Sequence, residues 1–194
     1  MRPVLLSIGL LLSFICHSQL PAISFDSKIT DSFSFITHLP IKSKFVLVYS
    51  EESYWWSNVD NYRLLSFDGS LWTAWTYKRT WKSSSERFAK THPKQRKYYK
   101  QIGTIIDKLV RDLFDHFENV QFWQLSQDSL NEIRDSRISD DVDYVFRLET
   151  ETSQKIFSSY APEYYLKLYP DMSQRNTFLT ARNFFTDWWK KYFR

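Results

Sequence analysis

Hydrophobic positions along the chain change period several times, and each period predicts a different element. The first run, Val4 to Ile15, is apolar except at Ser7, Gly9 and Ser13, with Arg2 before it and Cys16, His17 and Ser18 after it. A charged start, a short apolar stretch and small residues at positions 16 and 18 predict a secretory signal over 1–18, cleaved after Ser18. A spanning helix needs about 20 apolar residues, so no transmembrane helix is expected in the mature chain. Residues 19–40 are Ser/Thr-rich with scattered Ile and Phe, ending at Leu39-Pro40, and predict an irregular N-terminal segment.

From there the pattern is that of one domain over 41–194. KFVLVYS, Lys44 to Ser50, is a β-rich apolar run that predicts a buried strand. Tyr62 to Lys78 predicts a hairpin about Asp68-Gly69, a dipeptide suited to the positive φ angles of a two-residue turn. Pairing across it places Phe67 opposite Ser70 and Leu65 opposite Trp72. One face then carries Arg63, Leu65, Phe67, Trp72 and Ala74, the other Tyr62, Leu64, Leu71, Trp75 and Tyr77. Lys82 to Lys97 is polar and basic, a linker. Ile102, Ile105, Ile106, Leu109, Val110, Leu113 and Phe117 recur at helical spacing, so an amphipathic helix is expected there, with Gly103 inside it and Asn119 ending it.

Phe122, Trp123 and Leu125 are expected to fold back on the core, with a short helical turn from Asp128 to Arg134. Val142 to Glu149 alternates as a half-buried strand, and Lys155 to Tyr160 pairs with it as a second hairpin. Pro162 and Pro170 bracket a Tyr-rich connection. Phe178, Ala181, Phe185, Trp188 and Tyr192 predict a C-terminal helix, started at Asp171 or Ser173. The expected fold is therefore α+β: an antiparallel sheet built from two hairpins plus an N-terminal strand, with two main amphipathic helices packed on one face.

Composition sharpens this mainly by exclusion. The 194 residues include 8 Trp, 12 Tyr and 16 Phe but only 3 Gly and 1 Cys, and the Cys and one Gly fall in the expected signal. Gly69 and Gly103 remain, too few for a phosphate-cradling loop or a nucleophile elbow. Without a mature Cys, thiol catalysis and Cys-based zinc sites drop out. The competing reading, a lipid anchor at Cys16, departs from the usual lipobox because Ser13, Phe14 and Ile15 precede the Cys. An exported chain lacking disulfides and any Asn-x-Ser/Thr sequon points to a bacterial envelope, periplasmic or secreted.

No catalytic residue, metal or cofactor is singled out, so a non-enzymatic binding domain is expected. Asp112 and His116, one helical turn apart, read as a surface pair, and Asp140, Asp141 and Asp143 lack the glycine and distal glutamate of a calcium loop. The possible ligand surface is aromatic: Tyr54, Trp55, Trp56, Trp75, Tyr77 and Trp81. Of the adjacent pairs Trp55-Trp56 and Trp188-Trp189, at least one ring each is expected near the surface. Net charge is only +4, yet Lys78 to Lys100 holds nine basic residues against Glu86 alone, and 112–163 holds twelve acids against four bases. Lys90, Lys94, Arg96 and Lys97 form a possible loop for an anionic partner. Envelope polysaccharide, anionic lipid or an acidic protein are the candidate partners, and nucleic acid is not expected outside the cytoplasm. The alternative is a carbohydrate-active or other hydrolase using a pair of acidic residues, with Glu51 or Glu52 beside Trp55 and Trp56.

Overall fold

The computed structural model describes residues 20, 23, 25, 27–28, 34–53, 59–80, 97–130 and 142–193. Its centre is one antiparallel sheet of β1 (Ser27–Lys28), β2 (Phe45–Glu52), β3 (Val59–Phe67), β4 (Trp72–Thr80), β5 (Lys97–Ile105), β6 (Asp143–Thr150) and β7 (Ser153–Tyr160). The spatial order is β1-β7-β6-β2-β3-β4-β5. Five helices accompany it among the described residues: α1 (Phe35–His38), α2 (Asp107–Asn119), α3 (Gln127–Leu130), α4 (Pro162–Leu168) and α5 (Ser173–Tyr192). The fold is α+β with the two long helices, α2 and α5, packed on one face of the sheet.

Strand alternation divides the core in two. Phe45, Leu47 and Tyr49 of β2, Leu65 and Phe67 of β3, Trp72 and Ala74 of β4, and Phe146 and Leu148 of β6 face α2 and α5. Phe146 is the hub, with ring centroids 4.9 Å from Tyr49, 5.0 Å from Phe122 and 5.6 Å from Phe185. On the opposite face Val46, Val48, Tyr62, Leu64, Trp75 and Tyr77 form a second cluster, covered by Phe35, Ile36 and Leu39 of α1 and its exit. The expected irregular segment 19–40 therefore contains a covering layer, since α1 caps one face, while Leu20, Ile23 and Phe25 pack on the other.

A buried carboxylate anchors α1. Glu149 is fully buried, and its Oε2 accepts hydrogen bonds from Ser34 Oγ at 2.8 Å and the Ile36 backbone N–H at 2.9 Å. Its Oε1 faces the Arg147 guanidinium at 3.8 Å, and the same guanidinium lies over the Phe35 ring at 5.8 Å. The first-turn N–H that a four-residue helix cannot satisfy internally is thus paired from the sheet below.

Four local expectations change. The β3–β4 connection is longer than two residues: Phe67 pairs with Trp72, and Asp68 Oδ1 collects the Ser70 and Leu71 N–H groups at 2.7 and 2.9 Å while Gly69 takes φ +110°. These bonds also lower the Asp68 pKa. The pairing slips by two residues, an even number, so both predicted faces survive; only Leu71 leaves its face, entering the turn at 55% exposure. Second, the helix expected from Ile102 begins at Asp107, and Gly103 lies in β5 opposite Ala74. The register shifts between Ala74 and Trp75, leaving Ile102 as an extra residue in β5. Such a bulge breaks the two-residue alternation and turns Ile102 and Ile105 into a false helical spacing. Third, Pro162 opens α4 at its first position, where a missing N–H costs nothing, so the Tyr-rich connection is helical. Fourth, Trp188 and Trp189 are both buried, with Phe193 packed against each ring.

Candidate functional site

β2 ends with Glu51-Glu52, and alternation sends these neighbours to opposite faces of the sheet. Each enters a separate polar constellation at the same end of the molecule. On the helix side, Tyr49, Glu51, Tyr144, Arg182, Asn183, Thr186, Asp187 and Lys190 line an open cleft of about 380 Å³ between α5 and strands β2 and β6. The strands supply it because Tyr49 is paired with Phe146, and Glu51 with Tyr144, across β2 and β6. Helix α5 supplies it because Asn183, Thr186, Asp187 and Lys190 recur at three- and four-residue steps along one stripe.

The cleft's inner wall is already neutralised. Tyr49 Oη donates to Glu51 Oε1 at 3.0 Å, and Arg63 Nη1 lies 3.8 Å from the same oxygen. Burial, reinforced by the Glu51 charge, pushes the Tyr49 hydroxyl pKa up, so this phenol stays protonated as a donor. Arg182 lies 4.4 Å over the Tyr144 ring, donates from Nη2 to Asn183 Oδ1 at 2.7 Å, and pairs with Glu163 of α4. Asn183, Asp187 and Lys190 are exposed. Among the described lining residues, Glu51 and Asp187 against Arg182 and Lys190 leave no net charge.

On the other face, Glu52 stands directly opposite Asp143 of β6, and Asp143 opposite Tyr160 of β7. Ser50 Oγ donates to Glu52 Oε1 at 3.0 Å. Burial raises the Asp143 pKa. Asp60, itself buried, pairs across β3 and β4 with Arg79. Burial first, then the charges of Glu52 and Asp60, hold the Tyr62 hydroxyl protonated.

No family model, curated protein or solved structure matches this chain. The site must therefore be read from its own chemistry. Trp75 and Tyr77, expected on a ligand surface, are 3% and 1% exposed. They lie under α1: Trp75 Nε1 donates to Ser66 Oγ at 2.8 Å, and Tyr77 stacks on Tyr99 at 4.4 Å with Phe35 edge-on at 5.7 Å. They are core residues of the second cluster. Tyr54, Trp55, Trp56, Trp81, Lys90, Lys94 and Arg96 lie outside the described residues. Lys97 opens β5, the outermost strand on its side of the sheet, paired with Arg79.

Of the acids weighed for metal or hydrolytic chemistry, Glu51 and Glu52 part company as above, and Asp112 is held by Lys108 at 2.9 Å. His116 stacks on Phe184 of α5 at 3.6 Å, and desolvation lowers its pKa. Among the described residues no group of three or more His, Cys, Asp or Glu side chains is arranged to hold a metal ion, and no helix is long and apolar enough to cross a membrane. Sequence reasoning missed Tyr49, Tyr144, Arg182, Asn183, Thr186, Asp187 and Lys190 as one group. The only available signal was the polar stripe of α5, which every amphipathic helix has.

Proposed function

We propose that this chain is an exported, non-enzymatic binding domain of the cell envelope, and that it holds an envelope polysaccharide in the cleft between α5 and strands β2 and β6. One observation carries the choice of ligand: the described lining residues are rich in hydrogen-bonding groups while their four charges cancel. A polyanion, whether lipid surface or acidic protein, needs an excess of positive charge to be held. A polyhydroxylated polymer needs fixed donors and acceptors instead, and the exposed Asn183 amide offers both beside charges that sum to zero. The described ends of the basic stretch, 78–80 and 97–100, contribute none of the described lining residues. Export rests on the Arg2-led apolar run of the first eighteen residues.

The test is retention of the purified protein on an insoluble cell-wall glycan matrix. Retention that survives 0.5 M salt, at about the half-molar range where exposed ion pairs are screened, and that falls in Asn183→Ala, supports the reading. Retention abolished by salt transfers the interaction to a polyanion and the basic stretch. No retention refutes it.

The hydrolase reading keeps one specific support. Directly opposed residues on neighbouring antiparallel strands hold their Cβ atoms about 4.5–5.5 Å apart, and Glu52 and Asp143 are such a pair. Glycosidases flank the scissile bond with two carboxyl groups, and opposed positions on neighbouring strands put two carboxyl side chains side by side on one face. Burial raises the pKa of Asp143, the change a general acid requires. Release of reducing ends from the same glycan, lost in both Glu52→Gln and Asp143→Asn, would make the protein an enzyme; no release leaves it a binder.

A further inference from the structure

The four charged groups among the cleft's described lining residues are not equivalent. Glu51 is engaged by Tyr49 Oη and Arg63, and Arg182 by Glu163, Asn183 and the Tyr144 ring. Asp187 and Lys190 have no hydrogen bond or ion pair with any described residue, and both are exposed on the rim. They stand three residues apart on α5, a spacing that sets Cβ atoms about 5–6 Å apart on one helix face. Asn183 and Thr186 continue the same stripe as neutral hydrogen-bonding groups. The open end of the cleft thus presents one free acid and one free amine side by side, above a wall whose charges are already spent.

A ligand that carries only an anion satisfies Lys190 and is repelled by Asp187; one that carries only a cation does the reverse. A neutral glycan unit satisfies neither charge. Resting on the binding reading above, we propose that the ligand unit read by this cleft is dipolar: its ammonium is taken by Asp187 and its carboxylate by Lys190. The chemical class is a short peptide or diamino-acid substituent on a glycan, joined through a bond that leaves one ammonium and one carboxylate free.

Four probes test this by titration calorimetry of the full chain, with amide shifts of Asn183 and Thr186 locating the site. They are alanyl-alanine, its N-acetyl derivative, its C-terminal amide, and a neutral chitooligosaccharide. Alanyl-alanine is expected to bind at the cleft, and each blocked dipeptide to bind about two- to fivefold more weakly, the scale of one exposed ion pair. Asp187→Asn should lower alanyl-alanine affinity to that of the acetylated probe without weakening the acetylated probe further. Lys190→Gln should do the same relative to the amide. This matched loss is a coupling that a merely structural role for either residue does not produce. Equal binding of all three dipeptides, or equal losses for free and blocked probes in the variants, overturns the inference. Binding of the oligosaccharide alone at the cleft overturns the dipolar unit and leaves the polysaccharide reading standing. Failure of both oligosaccharide and dipeptide to bind overturns both.

Discussion

Glu149→Ala is expected to destabilise the protein more than any other substitution of a charged residue on the α1 side of the sheet. The native carboxylate is fully buried, and two donors converge on its Oε2, Ser34 Oγ at 2.8 Å and the Ile36 N–H at 2.9 Å, with Arg147 at 3.8 Å from Oε1. Hydrogen bonds to a charged partner contribute about 1.5–3 kcal/mol each, offset by the cost of burying the charge. Truncation leaves a buried N–H and a buried hydroxyl without their acceptor and takes a carboxylate from beside the Arg147 guanidinium, for which a loss of about 3 kcal/mol is expected. With a urea m-value of about 2 kcal/mol/M, the unfolding midpoint should fall by about 1.5 M. Glu149→Gln keeps an acceptor oxygen and gives up the charge, so about 0.5 M is expected. Ser34→Ala removes one of the two donors, and its effect should largely vanish in the Glu149→Ala background, since the two share a bond. Trp75 lies in the cluster beneath α1, so its fluorescence reports on the same event. A midpoint shift below about 0.3 M for Glu149→Ala, within the scatter of surface substitutions, would refute the anchoring role.

Three further outcomes follow from other parts of the fold. Phe146→Ala empties the hub that Tyr49, Phe122 and Phe185 surround, and should cost about 3–5 kcal/mol, read as a Tm fall of about 10 °C by calorimetry. Gly69→Ala imposes a side chain at φ +110°, and its Cβ would also lie 2.6 Å from Lys44 Nζ; the lysine end can swing away but the backbone angle cannot, so about 1–2 kcal/mol is expected in the same assay. His116 is held neutral between helices, with a folded-state pKa below 6.5 caused by desolvation. The unfolded chain therefore binds more protons around pH 6 than the native one, so this residue's contribution is intact above about pH 6.5 and lost as the pH falls below it. Urea midpoints measured from pH 7.5 down to 5 should decline less steeply in His116→Phe, and equal slopes would contradict the assignment.

What was legible in the sequence follows from which patterns are local. The alternation of Leu64, Leu65, Phe67, Trp72, Ala74 and Trp75 gave the right faces even with the wrong turn, because a slip of two residues preserves every side chain's side. The alternation of β5 was illegible because the bulge at Ile102 exists only in relation to β4. Trp75 and Tyr77 looked available because both faces of their hairpin are apolar, and nothing in Phe-Ile-Thr-His marks four residues as the cover of one face; the bond that fixes that cover comes from Glu149, 113 positions beyond Ile36. The candidate site was hidden for the same reason on a larger scale, since β2, β6 and the last three turns of α5 meet only in the folded chain. Glu51-Glu52 drew attention as an adjacent acidic pair beside tryptophans, and adjacency turned out to be what separates them. In a strand, neighbours cannot serve one site, so each glutamate finds its partners across strands: Tyr144 and the α5 cleft for Glu51, Asp143 for Glu52. The α5 cleft and a carboxylate pair therefore stand back to back on one β-strand end, and substitutions at positions 51 and 52 separate the two proposed readings, each made on the opposite face of the sheet from the other.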